Sequence, residues 1–121
     1  MNKFLIFILF IIITAVVIYK LHSYILRNTI IKLSKQVLNY FELAKHDKNP
    51  LTSMLRANYS IAYLWAMEDI ASQKNIENII TIDFTNFKNH ITSFKDNANK
   101  KLIKWINNKN HFSNTTYVSR N

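Results

Sequence analysis

LTSMLRANYSIAYLWAMEDIAS, Leu51 to Ser72, is the stretch that decides the fold. It follows Asn49-Pro50. A proline suits the first turn of a helix and pushes the residue before it out of the α region. Within the stretch, Ile61 to Met67 (IAYLWAM) is apolar on every side. A soluble helix that is apolar all round is buried, and this run is too short for a hydrocarbon layer of about 30 Å. The pattern therefore predicts a central core helix. On that basis Trp65 is buried, and truncating it to Ala costs about 3–5 kcal/mol. Asn58 and Ser60 then lie near the buried surface and need hydrogen-bond partners.

Helical periodicity continues on both sides. Upstream, Leu21, Tyr24, Ile25, Ile31, Val37, Leu38, Phe41 and Ala44 interleave with Arg27, Lys32, Lys35, Asn39 and Lys45. One helix is expected there, with a kink near Asn28-Thr29, ending at the turn signal His46-Asp47-Lys48-Asn49. Downstream, Gln73 to Asn75 is a polar break. Ile80, Phe84, Phe87, Ile91, Phe94 and Ala98 then recur at alternating intervals of four and three, a heptad-like seam that predicts one long helix from Ile76 to Ile106. The seam continues less regularly through Leu102, Trp105 and Ile106. Residues 111–121 (HFSNTTYVSRN) have no periodicity and read as a flexible tail.

The N-terminus is different in kind. Phe4 to Tyr19 reads FLIFILFIIITAVVIY, with only Thr14 and the Tyr19 hydroxyl polar. About 16 helical residues cover about 24 Å, slightly less than a hydrocarbon core. Leu21, Tyr24, Ile25 and Leu26 prolong the apolar character, Lys20 can snorkel, and Tyr19 and Tyr24 sit where interfacial aromatics belong. A cleaved signal peptide needs a small-residue cleavage site, and Val17 to Leu21 offers none. A buried core helix of this character needs a covering that so small a chain does not supply. A transmembrane anchor is the expectation, with membrane lipid contacted through residues 4–19. Lys20, Arg27, Lys32 and Lys35 outweigh Lys3 and the amino terminus, so the positive-inside rule puts the following domain in the cytoplasm.

Composition agrees with this layout. The chain has 121 residues, no Gly, one Pro and no Cys. Lack of Gly argues against Rossmann, P-loop and turn-rich β architectures, which need positive φ or phosphate-cradling loops. Lack of Cys removes disulfides, thiolate nucleophiles and Cys-based zinc sites. The expected fold class is all-α: a single transmembrane helix followed by a small helical bundle or helical hairpin. The divisions are 1–26 for the anchor, 27–110 for the basic domain and 111–121 for the tail. A net charge of +9 suggests anionic partners, although Ile, Asn and Lys together are also what an AT-rich genome imposes.

Catalytic motifs find no support. His22, His46, His90 and His111 are far apart and make no H-E-x-x-H pattern. Glu68 and Asp69 are adjacent, so on a helix they point about 100° apart, which suits a solvated face better than an acid–base pair. There is no G-x-S-x-G or S-x-x-K sequence, and no cofactor site is expected. Asn58-Tyr59-Ser60 and Asn114-Thr115-Thr116 match the glycosylation sequon, as an Asn-rich chain does by chance.

Two groups of residues are candidates for interaction. Arg56, Tyr59, Tyr63 and Trp65 are of the types enriched in binding hot spots, with core packing as the plainer explanation. Lys100, Lys101, Lys104 and Lys109 surround Trp105. Basic residues around an aromatic suit anionic lipid or nucleic acid, with a solvated face as the commoner explanation.

The stretch Asn49 to Ala71 also resembles a segment in small proteins of nucleocytoplasmic large DNA viruses. The matching residues are Asn49, Pro50, Leu55, Ala57, Asn58, Tyr59, Tyr63, Leu64, Trp65, Ala66, Asp69, Ile70 and Ala71. They cover about a fifth of the chain. The resemblance implies a virion or viral-membrane setting and carries no catalytic role. The expected function is a non-enzymatic, membrane-anchored structural or interaction protein, binding a protein partner or itself. The alternative is a membrane-surface effector that holds anionic lipid or nucleic acid through the basic face.

Overall fold

A computed structural model describes the backbone of residues 2–118 and the side chains of residues 2–110. The described residues are all-α, with four helices and no strand. These are α1 (Lys3–His46), α2 (Pro50–Ile70), α3 (Gln73–Ile80) and α4 (Phe84–Val118).

α1 is a single continuous helix of 44 residues, about 66 Å long at about 1.5 Å per residue. Every side chain from Asn2 to Ile25 is exposed. Leu26 is the first that packs on the core and Ile30 the first that is fully buried. The apolar half of α1 therefore stands clear of the domain while its second half forms one wall of it. At the expected kink site the helix is unbroken, and Thr29 Oγ1 donates to the Ile25 carbonyl oxygen at 2.9 Å, the back-bond by which Thr fits a helix interior.

The turn after α1 is built by side chains. Asp47 Oδ1 accepts the Asn49 N–H at 3.1 Å, and Asn49 Oδ1 accepts the N–H groups of Leu51 and Thr52. Asn49 thus caps α2 while Pro50 occupies its first turn. Arg56 closes the corner on Asp47 at 2.8 Å. α2 returns antiparallel along α1, with Tyr40 against Tyr59 and Ala44 level with Ala57.

α2 is the middle helix. It buries Ala57, Ser60, Ile61, Leu64 and Met67, which recur every three or four residues and so form one face. α1 and α4 lie on that face. Ile30, Val37, Phe41, Ile61, Leu64, Met67, Ile76, Phe84 and Ile91 make the main core, and a second cluster of Ala44, Ala57 and Ala98 sits near the turn. The small side chains of that second cluster leave little between the helices. Ser60 is buried as expected and donates to the Val37 carbonyl oxygen at 2.8 Å.

Further expectations need correction. Trp65 is 56% exposed. It lies on the side of α2 away from the core, because three helices around a 21-residue helix cover only one of its faces. Asn58 is exposed as well and needs no internal partner. The helix expected from Ile76 to Ile106 is two helices. α3 ends at Thr81, whose φ of 56° is left-handed, and α4 starts at Phe84. Glu77 stabilises this corner. Its Oε1 accepts the Phe84 N–H at 3.3 Å and a Gln73 side-chain N–H at 3.1 Å. The seam resumes on α4, where Phe84, Ile91 and Ala98 are buried with Phe87 and Phe94 packed beside them.

α3 folds under the end of the bundle where α1 emerges, with Ile76 buried and Ile79 and Ile80 packed on the core. α4 then runs antiparallel to α2. Lys88 bridges to Glu68 at 2.6 Å, and Ala98 reaches the level of the α1–α2 turn. Beyond Ala98, α4 continues to Val118, past the end of the hairpin. Most of the stretch expected as a tail therefore has helical backbone. Residues 119–121 lie outside the described residues.

Candidate interaction surfaces

Arg56, Tyr59 and Tyr63 follow at intervals of three and four on α2 and share the flank that faces α1. The two tyrosines share one partner, Tyr40 of α1, whose ring lies 5.3 Å from Tyr59 and 5.6 Å from Tyr63. The Tyr63 contact is stacked at 14°. Such ring pairs add about 0.5–1.5 kcal/mol beyond burial. Arg56 is engaged by Asp47, so it serves the turn as well as the surface. Tyr40 was not legible as a member of this group, because nothing in the sequence registers α1 against α2.

Trp65 does not belong to that flank. Two residues on from Tyr63, it projects about 160° away around the helix. The four expected residues therefore form no single face. What joins the two flanks is the outer surface of α2. Leu51, Leu55, Tyr59, Trp65 and Ile70 are each 44% exposed or more, and Ala62 is exposed among them. Leu55, Tyr59, Ala62 and Ala66 are spaced four, three and four apart, which is the seam spacing of one helix against another. Asn58 and, near the end of α2, Asp69 are the polar residues in this strip. IAYLWAM is thus apolar on every side because it has two apolar faces, one covered by this chain and one open.

The basic residues sit elsewhere. Lys100, Lys101 and Lys104 are exposed on one side of α4 beyond the hairpin, whereas Ile103 and Ile106 are exposed on the other. Lys109 folds over the Trp105 ring, its Nζ 4.3 Å from the ring centre, a cation–π contact that half-covers the indole. Lys101 also borders the cleft between Lys45, Asp47 and Pro50. This end of the bundle is the one opposite the emergence of α1. From Ile25 to Ala44 alone α1 rises about 28 Å.

Among the described residues no three His, Asp or Glu side chains gather as metal ligands would. α1 is the one helix among the described residues long and apolar enough to cross a membrane, and none of its most apolar window is buried. Comparison with known protein families, characterised proteins and solved structures finds no match to this chain.

Proposed function

We propose that this chain is a non-enzymatic, single-pass membrane protein whose helical domain binds a protein partner, or a second copy of itself, through the outer face of α2. The observation that carries the proposal is the open apolar strip from Leu51 to Ile70 on the helix at the centre of the bundle. Contiguous exposed apolar surface of this kind marks interaction sites. Tyr59 and Trp65 supply rigid aromatic anchors, while Ala62 and Ala66 leave room for close approach.

Anchoring by α1 is the second part of the proposal. About 23 uncovered residues, Lys3 to Ile25, make about 34 Å of helix, which matches a hydrocarbon core with its interface. The charges that follow favour a cytoplasmic domain. The resemblance around residues 49–71 supports a viral membrane or virion as the setting. A cleaved leader would leave α1 without its apolar half.

The alternative, an effector that grips anionic lipid or nucleic acid through Lys100, Lys101, Lys104, Trp105 and Lys109, has one observation in its favour. Lys100, Lys101 and Lys104 are exposed on one side of a projecting helix. Against lipid of the same membrane stands their place at the far end of the bundle, unless the domain lies down on the surface. The test is capture of the tagged full-length protein in mild detergent from its native membranes. A stoichiometric protein, or self-association, that survives physiological salt and is lost in Leu55→Asp supports the α2 face. Recovery of lipid or nucleic acid alone, disappearing as salt rises, supports the basic face.

A further inference from the structure

We propose that the cleft where α3 meets α1 binds a phosphate group, that of an anionic lipid in the leaflet beside the anchor. This rests on the reading of α1 as a membrane span. The cleft is lined by Tyr19, His22, Ser23, Leu26 and Arg27 of α1 and by Asn75, Asn78 and Ile79 of α3.

Its chemistry is one-sided. Arg27 and His22 supply cationic or donor nitrogens, Asn75 and Asn78 supply amide N–H groups, and Ser23 and Tyr19 supply hydroxyls. No carboxylate lines it. The nearest acidic residue in sequence, Glu77, is turned to the α3–α4 corner, where Gln73 and the Phe84 N–H already occupy its Oε1. Arg27 makes no ion pair among the described residues, whereas Arg56, the other described arginine, is held by Asp47 at 2.8 Å. A guanidinium with no acidic neighbour, beside amide and hydroxyl donors, is a fork for phosphate oxygens. Half-buried Leu26 and Ile79 give the cleft an apolar floor, which suits the glycerol and upper acyl part of a lipid better than a free anion.

Its position is the second argument. If the unbroken apolar run from Phe4 to Ile18 fills the hydrocarbon, Tyr19 to Arg27 stand at the level of the interface and headgroups. α3, folded under the bundle, closes the cleft from the domain side. Basic pockets at this depth are where headgroup phosphates bind.

The test uses the full-length protein in vesicles of phosphatidylcholine with a minority of phosphatidylglycerol. The protein is extracted in mild detergent and weighed intact with its bound lipid. Phosphatidylglycerol should be retained well above its share of the bilayer. In His22→Gln/Arg27→Gln retention should drop about tenfold, the effect of losing a charge-assisted hydrogen bond. Lys100→Gln/Lys104→Gln should retain it fully. Equal retention of both lipids, or no drop in the double variant, overturns the proposal. Inorganic phosphate is the second arm. Saturable shifts of the Asn75 and Asn78 side-chain amides with phosphate, without lipid preference, would assign the cleft to a free anion and overturn the lipid source. Alkaline washing of the vesicles separates the two readings. A protein that resists washing yet retains no anionic lipid refutes the cleft alone, and one that washes off refutes the anchor beneath it.

Discussion

The Ser60 hydroxyl donates to the Val37 carbonyl oxygen at 2.8 Å, entirely out of contact with solvent. With the part-buried Ser53 hydroxyl, which donates to the Ala44 carbonyl oxygen at 2.8 Å, it ties α2 to α1. Ser60→Ala removes the donor but leaves the Val37 carbonyl inside its helix. The expected loss is about 1 kcal/mol, read as a lower thermal midpoint of the full-length protein in detergent by circular dichroism. Ser60→Leu should cost more, because added methylenes in a close-packed contact force the helices apart.

Phe84 and Trp65 should behave in opposite ways. Phe84 is 1% exposed at the start of α4 and Trp65 is 56% exposed on α2. Phe84→Ala is expected to destabilise the domain by about 3–5 kcal/mol. Trp65→Ala should change stability by no more than about 0.5 kcal/mol while weakening association with the partner. Parallel melting and capture measurements on the two variants check this. A large stability loss in the Trp65 variant would return that residue to the core.

Thr81 holds a φ of 56° at the C-terminal cap of α3. A β-branched residue is disfavoured there, and the chain offers no Gly anywhere. Thr81→Asn, which tolerates this conformation, is expected to raise stability by about 0.5–1 kcal/mol. An unchanged or lower thermal midpoint would mean that the Thr81 hydroxyl contributes as much as its backbone costs.

Removing residues 2–20 should release the protein from membranes that otherwise hold it through an alkaline wash. The bundle should survive the deletion, since none of those residues is buried and only Tyr19 borders the cleft against α3. Fractionation and circular dichroism of the truncated and full chains measure both halves. A full-length protein that already washes off contradicts the anchor.

Much of the architecture was legible because helical periodicity is local. The apolar run at Phe4–Tyr19, the helix start at Pro50 and the seam at Phe84, Ile91 and Ala98 each depend on residues a few places apart, and each appears where its spacing put it. The break at Thr81 was harder. Ile80 and Phe84 keep the spacing of a continuous seam across it, so periodicity alone could not reveal two helices.

The amino-acid sequence determined by itself that this protein is helical, that its first helix is apolar enough for a bilayer, and that Ile61 to Met67 is apolar on every side. The tertiary structure alone decided which faces stay open. Periodicity tells a face from its neighbours, but exposure depends on how many helices arrive to cover it. α2 has apolar residues all round and receives cover on one side only, which leaves Trp65 in the open. The cleft at Arg27 was likewise invisible, because Asn75 and Asn78 come to it from about 50 residues away. Proximity of that kind follows from the packing of α3 under α1 and from no local pattern.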